Sequence, residues 1–151
     1  MKVIIQRSLE SSVSVDGKQV GKINKGMVVL VGFTHSDTEK EIDYIVNKVL
    51  NLRIFDDENG IMNKSILDTN GEILSISQFT LYGDTKKGNR PSYINAMGGD
   101  QATSFYDVFN TKLREKIKVA TGIFGAEMTV TINNDGPVTI VIETEEKHEK
   151  E

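Results

Sequence analysis

The chain opens on β-branched residues. Lys2 to Val15 is rich in Val, Ile and Ser and stops at Asp16-Gly17, a pattern that predicts a strand entering a hairpin. A short return, Gln19 to Ile23, reaches a second turn at Asn24-Lys25-Gly26. Met27 to Phe33 is continuously apolar, as a strand buried on both faces should be. At Ser36-Asp37 the pattern changes. Either residue can cap a helix, Glu39 and Glu41 suit its positive end, and Ile42, Ile45, Val46, Val49 and Leu50 recur at helical spacing. Arg53-Ile54-Phe55 predicts a short strand and Asp56 to Gly60 a turn. After Asn70-Gly71, Glu72 to Leu81 predicts a longer strand.

Between Tyr82 and Gly99 the periodicity is lost, and Gly83, Gly88, Pro91, Gly98 and Gly99 fall in this stretch. It exceeds the usual structureless connection, and such loops are often functional. Asp100 is placed to cap a second helix with the stripe Ala102, Phe105, Phe109, Leu113 and Ile117, ended by Gly122. Met128, Val130 and Ile132 then alternate with Thr129, Thr131 and Asn133, and Asn134-Asp135-Gly136-Pro137 turns the chain into Val138 to Ile142. The pattern predicts one α+β domain over residues 1–142, with a mostly antiparallel sheet and two main helices, followed by a solvated acidic tail over 143–151.

Composition then removes mechanisms. The 151 residues suit one domain with a full core. With no Cys there is no disulfide framework, thiol nucleophile or thiolate metal site. His35 and His148 are the only imidazoles, so a poly-His site within one chain is excluded; His148 sits in the tail and His35 reads as a surface residue. Asp56, Asp57 and Glu58 cluster but lack the spacing of a calcium loop, so no metal or other cofactor is expected. No apolar run approaches the ~20 residues of a membrane span, and Met1 to Arg7 lacks the layout of a signal peptide, which points to the cytoplasm.

The formal net charge of −4 argues against broad nucleic-acid binding, DNA included. The tail alone carries five acids and two Lys, leaving 16 basic against 17 acidic residues in 1–142, so the body is nearly neutral. Its densest basic patch is Lys86-Lys87-Gly88-Asn89-Arg90-Pro91, which could meet phosphates or simply be a solvated loop.

Two stretches offer reactive chemistry. In Ser77-Gln78-Phe79-Thr80, where a strand runs into the long loop, hydroxyl, amide and backbone N–H groups could hold an oxyanion; the plainer reading is a half-exposed strand. Strict alternation would separate Ser77 from Thr80, so a shared site requires the strand to end or bulge near Phe79. In Gly136-Pro137 the proline marks an edge, turn or bulge. Its peptide bond is trans by default; were it cis, two successive carbonyls would be held in one direction.

Gln6-Arg7, Asn51-Leu52-Arg53-Ile54-Phe55, Ser77 to Asp84, Lys87 to Ser92, Thr121 to Met128 and Asn134 to Thr139 occur in an order that resembles the D-aminoacyl-tRNA deacylase family, also called D-tyrosyl-tRNA deacylases, over residues 1–142. The resemblance implies that family's fold, a partly open barrel with two main helices. It implies hydrolysis of the ester joining a D-amino acid to the 3′ adenosine of tRNA, a proofreading of chirality in translation. The family's Ser-Gln-x-Thr motif falls on Ser77, Gln78, Phe79 and Thr80, and its Gly-cisPro motif on Gly136 and Pro137. That dipeptide reaches into the partner subunit's pocket in a homodimer, with Arg7 in support. Phe124, Gly125 and Met128 match residues near the terminal adenosine, with Ala102 placed alongside. Lys86, Lys87 and Arg90 become candidate tRNA phosphate contacts. Gly83 stands where the family usually has Ala.

An aminoacyl ester is already activated, so backbone donors and water suffice, with the tRNA 2′-hydroxyl as a possible aid; a covalent Thr80 lacks an evident base. Rigid carbonyls at Gly136-Pro137 would exclude an L side chain and leave a D side chain free. Glycine, and hence glycyl-tRNA mischarged on tRNA-Ala, should also fit. Two other classes stand beside this one: a non-catalytic nucleic-acid-binding module using the Lys86–Arg90 loop, and a hydrolase of other small esters or amides.

Overall fold

The structure, a computed structural model, describes residues 1–144; the expected acidic tail from residue 145 onward, with His148, lies outside the described residues. Strands β1 (Lys2–Ser8), β2 (Ser11–Val15), β3 (Lys18–Ile23) and β4 (Gly26–Gly32) lead into helix α1 (Glu39–Asn51). The short ribbon β5 (Phe55–Asp56) and β6 (Met62–Lys64) follows, then β7 (Glu72–Ser77), a 3-10 turn over Phe79–Tyr82, and helix α2 (Gly99–Arg114). β8 (Val119–Thr121), β9 (Thr129–Thr131) and β10 (Asn134–Glu143) complete the chain.

A five-stranded sheet runs β10-β1-β4-β7-β8, antiparallel on the β1 side and parallel from β4 to β8, and a three-stranded antiparallel sheet runs β3-β2-β9. The helices cover one face of the larger sheet, where Val3, Ile5, Val29, Val31 and Ile73 bury against Ile42, Ile45, Val49, Phe109 and Leu113. The smaller sheet covers the other face, with Val13 and Ile23 against Val28, Leu74 and Ile76. The expected α+β class with two helices is what the chain adopts, as an open pair of sheets rather than a closed barrel. No helix among the described residues is long and apolar enough to cross a membrane.

Several elements differ from expectation. The single strand predicted over residues 2–15 is two, broken at exposed Leu9 and Glu10, because β1 and β2 belong to different sheets. The turn that joins β2 to β3 is the predicted one, with positive φ at Asp16 and Gly17. Helix α1 is capped by Thr38, not by Ser36 or Asp37: the Thr38 hydroxyl accepts from the Lys40 N–H, and Glu41 returns a carboxylate to the Thr38 N–H at 2.6 Å. Asp37 instead takes the Met1 ammonium at 2.7 Å and the Thr34 N–H at 2.8 Å. Helix α2 begins at Gly99 and ends at Arg114, well before Gly122, because Val119–Thr121 pairs with β7. The strand predicted to run to Leu81 stops at Ser77. Asn134 to Pro137 is no turn but the start of β10, which pairs with β1 across a register shift between Gln6 and Ser8.

Candidate active site

The end of β7 decides which polar groups meet. Gln78 N–H donates to the Val31 carbonyl at 2.7 Å, tying the chain to β4 just as the 3-10 turn begins. Ser77 and Gln78 are half-buried, whereas Phe79 and Thr80 are exposed. The turn brings the Gln78 amide against the Thr80 hydroxyl, so Ser77, Gln78 and Thr80 do not separate as a continuing strand would require. At the start of such a turn the first N–H groups lack a partner within the helix. Among the described residues nothing accepts from the Phe79 and Thr80 N–H groups, which leaves two backbone donors free beside the motif.

A cleft of about 290 Å³ opens here, with Ile76, Ser77, Gln78 and Phe79 on one wall and Phe124 to Met128 with Val130 on the other. Three of the expected adenosine-pocket residues, Phe124, Gly125 and Met128, therefore face three of the expected catalytic ones. Ala102 does not line this cleft; it is buried in the core on α2. The connection from α2 runs instead through Tyr106, whose ring lies 6.0 Å from that of Phe124. The Tyr106 hydroxyl donates to the Ser75 carbonyl at 2.7 Å, two residues before Ser77, and burial pushes its phenol pKa up. Of the residues not singled out from the sequence, Ala126 and Glu127 lie within the Thr121 to Met128 stretch, Val130 within the alternating strand and Ile76 within the strand leading to Ser77. The signal for Tyr106 was its helical spacing with Ala102, Phe109 and Leu113.

The second motif is built by Arg7. Its side chain is buried; Nη1 donates to the Ile54 carbonyl at 2.8 Å and Nε to the Asp135 carbonyl at 3.1 Å. Asp56 and Asp135 carboxylates lie 3.4 Å from the guanidinium. Gly136 has φ +123° and its peptide bond to Pro137 is cis. A Cβ at Gly136 would lie 3.1 Å from Arg7 Nη2 and 2.9 Å from Val138 Cγ2, so conformation and space both demand glycine. Gly136 and Pro137 are exposed and do not line the cleft of their own chain.

The remaining candidates separate. Lys86, Lys87 and Arg90 are exposed on a loop closed by mutual 2.8 Å backbone bonds between Asp84 and Ser92, and none pairs with a described carboxylate. The acidic trio is spent on structure. Asp57 accepts from the Ile61 and Asn59 N–H groups, which lower its pKa in that order, Glu58 pairs with Lys64, and Asp56 with Arg7. His35 is exposed and its ring N–H donates to the Ile94 carbonyl at 2.6 Å.

With this geometry in place, the family model described as D-Tyr-tRNA(Tyr) deacylase matches residues 4–143. The chain belongs to that family. Curated D-aminoacyl-tRNA deacylases from Brevibacillus brevis and Clostridium novyi are each 55% identical to it, over 95% and 97% of this chain and 100% and 99% of their own. Among solved structures, one described as the c-Myc DNA Unwinding Element Binding Protein superposes with a TM-score of 0.90 at 46% identity, covering 97% of this chain and all of the other. A probable eukaryotic D-amino acid tRNA deacylase shares the fold at a TM-score of 0.81 and 20% identity, over 93% of this chain and 97% of that one. As a member of the deacylase family the chain is an enzyme, an ester hydrolase of D-aminoacyl-tRNA.

Proposed function

We propose that the cleft hydrolyses the ester between a D-amino acid and the 3′ adenosine of tRNA by direct attack of water. The observation that carries this reading is the single cleft in which Ser77, Gln78 and Phe79 face Phe124, Gly125 and Met128. The adenosine lies against Phe124, Gly125 and Met128. Ser77 and Gln78 orient the ester carbonyl, and the free N–H groups of Phe79 and Thr80 receive its charge as the tetrahedral oxyanion forms. Water adds to the carbonyl carbon, the C–O bond to the ribose breaks, and the departing oxygen takes a proton, with the neighbouring 2′-hydroxyl able to relay it. The Thr80 hydroxyl meets the Gln78 amide, a donor rather than a base, which favours water over Thr80 as nucleophile. Lys86, Lys87 and Arg90 contact phosphates near the same end.

Chirality is read by exclusion at a subunit interface. Gly136 and Pro137 of one subunit enter the partner's cleft, where their carbonyls occupy the space an L side chain would need; a D side chain points out, and glycine fits. Arg7 holds the preceding Asp135 carbonyl in place. The exposed face of β10 supports self-association. Val141, 56% exposed, stands directly across from Ile4, which stands across from Leu30.

The test is release of amino acid from one tRNA charged with the D form, the L form and glycine, together with the solution mass. The reading expects release of D-amino acid and glycine with L-ester intact, from a dimer. Equal release of D and L, or full activity in a monomer, overturns it. The name of the 46%-identical structure favours one other outcome, nucleic-acid binding without ester cleavage, which the same assay reads as salt-sensitive binding with no release.

A further inference from the structure

Beside the reacting motif stands a group of apolar side chains turned to solvent. Phe79, 56% exposed, meets Tyr93, 40% exposed, edge to face, with ring centroids 5.1 Å apart and planes at 72°. Ile94, the next residue, is 77% exposed. Exposure of this kind usually accompanies a loose loop, yet this segment is pinned from several sides. The Asp84–Ser92 pair closes the loop just before Tyr93, and Ala96 N–H donates to the Tyr93 carbonyl at 3.0 Å. Thr34 donates its hydroxyl to the Asn95 carbonyl at 2.5 Å, and His35 its ring N–H to that of Ile94. Gly83 completes the arrangement. A Cβ there would stand 3.1 Å from Tyr93 Cε1, so the bare glycine lets the ring lie against the 3-10 turn.

Position gives the pair its meaning. Phe79 is itself a wall of the cleft, and the exposed loop over residues 85–91, which carries Lys86, Lys87 and Arg90, closes at Ser92, immediately before Tyr93. Tyr93 thus stands between Phe79, whose ring it meets at 5.1 Å, and the cationic loop that ends one residue before it, which puts an aromatic ring beside a strand that enters the cleft and meets those cations. Fixed, exposed aromatic faces next to cations are what unpaired nucleotides stack on, because every base offers a π face. Resting on the deacylase reading above, we propose that Tyr93, with Phe79 and Ile94 beside it, forms a stacking platform for the nucleobase preceding the terminal adenosine of the tRNA.

Two measurements test this. In steady-state kinetics, Tyr93→Ala should raise KM for D-aminoacyl-tRNA about 5- to 20-fold. Its KM for the D-aminoacyl ester of adenosine, which lacks the preceding nucleotide, should stay unchanged, and Tyr93→Phe should behave as wild type on both. Equal losses on the two substrates would make Tyr93 a prop for Phe79, and no loss on either would leave the platform without a role. A change in oligomeric mass would place the ring in a subunit contact. Each of these overturns the proposal. The chain has no Trp, so Tyr93→Trp supplies a unique fluorophore. Uncharged tRNA should quench it and adenosine monophosphate should not; quenching by neither, or by both, counts against the platform. This second measurement needs no turnover, so an inactive wild-type enzyme would defeat the deacylase reading while quenching still decides the platform.

Discussion

Replacing Arg7 with methionine keeps a long apolar stem and removes the fork that joins three parts of the fold. Arg7 is only 8% exposed, and the Ile54 carbonyl it serves belongs to a residue 6% exposed. Leaving that buried carbonyl without its donor costs roughly 1–3 kcal/mol. The Asp135 carbonyl is nearer solvent and regains water, so its loss adds little to stability. The Asp56 and Asp135 carboxylates are 52% and 40% exposed, and each contributes at most about 1 kcal/mol as a partner. The total is about 1–5 kcal/mol, which for a chain of this size lowers Tm by about 2–20 °C. The functional consequence is separate from the stability loss. Without the 3.1 Å bond to Asp135 the backbone leading into Gly136 is no longer fixed, so D-ester hydrolysis should fall and L-ester hydrolysis should become measurable. Thermal unfolding and the D-against-L release assay, run on the same preparation, check both. A Tm within about 1 °C of wild type, or an unchanged D/L ratio, would refute the corresponding half of the reasoning.

Three further predictions follow from local geometry. Thr80→Ala should keep at least about a tenth of kcat, since the backbone donors survive; loss beyond about 10³-fold in a folded protein would restore Thr80 as the nucleophile. Tyr106→Phe removes one buried bond to the Ser75 carbonyl and should cost about 0.5–1.5 kcal/mol in denaturant unfolding, with kcat lowered more than KM because Ser75 leads into Ser77. Thr38→Ala should destabilise by about 0.5–2 kcal/mol and speed hydrogen exchange in the first turn of α1, whereas Ser36→Ala should do neither.

A repeating apolar stripe made both helices legible and a continuous apolar run made the buried β4 legible, because both are local properties of the chain. The break at Leu9 and Glu10 was hidden because the apolar residues Val3, Ile5, Leu9, Val13 and Val15 all fall on odd positions, so the sequence pattern runs through the corner, whereas in the structure Ser8 is buried and Leu9 exposed. Asn134 to Pro137 has the composition of a turn, yet at the sheet edge a proline costs no ladder bond and the segment can pair. The site was half legible. A site shared by Ser77 and Thr80 was expected only if the strand ended or bulged near Phe79, and the strand, expected to run to Leu81, ends at Ser77. The Arg7–Asp135 link joins residues 128 positions apart, and Tyr106–Ser75 joins residues 31 apart, so no local pattern announces either. Ala102 shows the converse: its place in the apolar stripe was real, and that stripe faces the core.

The most direct test of chirality by exclusion is Gly136→Ala, measured as kcat/KM for D- and L-aminoacyl esters on one tRNA. At φ +123°, with Arg7 Nη2 3.1 Å from the new Cβ, the alanine cannot hold the glycine's backbone in place. The account predicts at least about a tenfold fall in D-ester hydrolysis together with a reduced D/L ratio, since about 1–3 kcal/mol of backbone strain must be relieved by moving the carbonyls. Wild-type hydrolysis of the D-ester with L-ester rejection intact would contradict it.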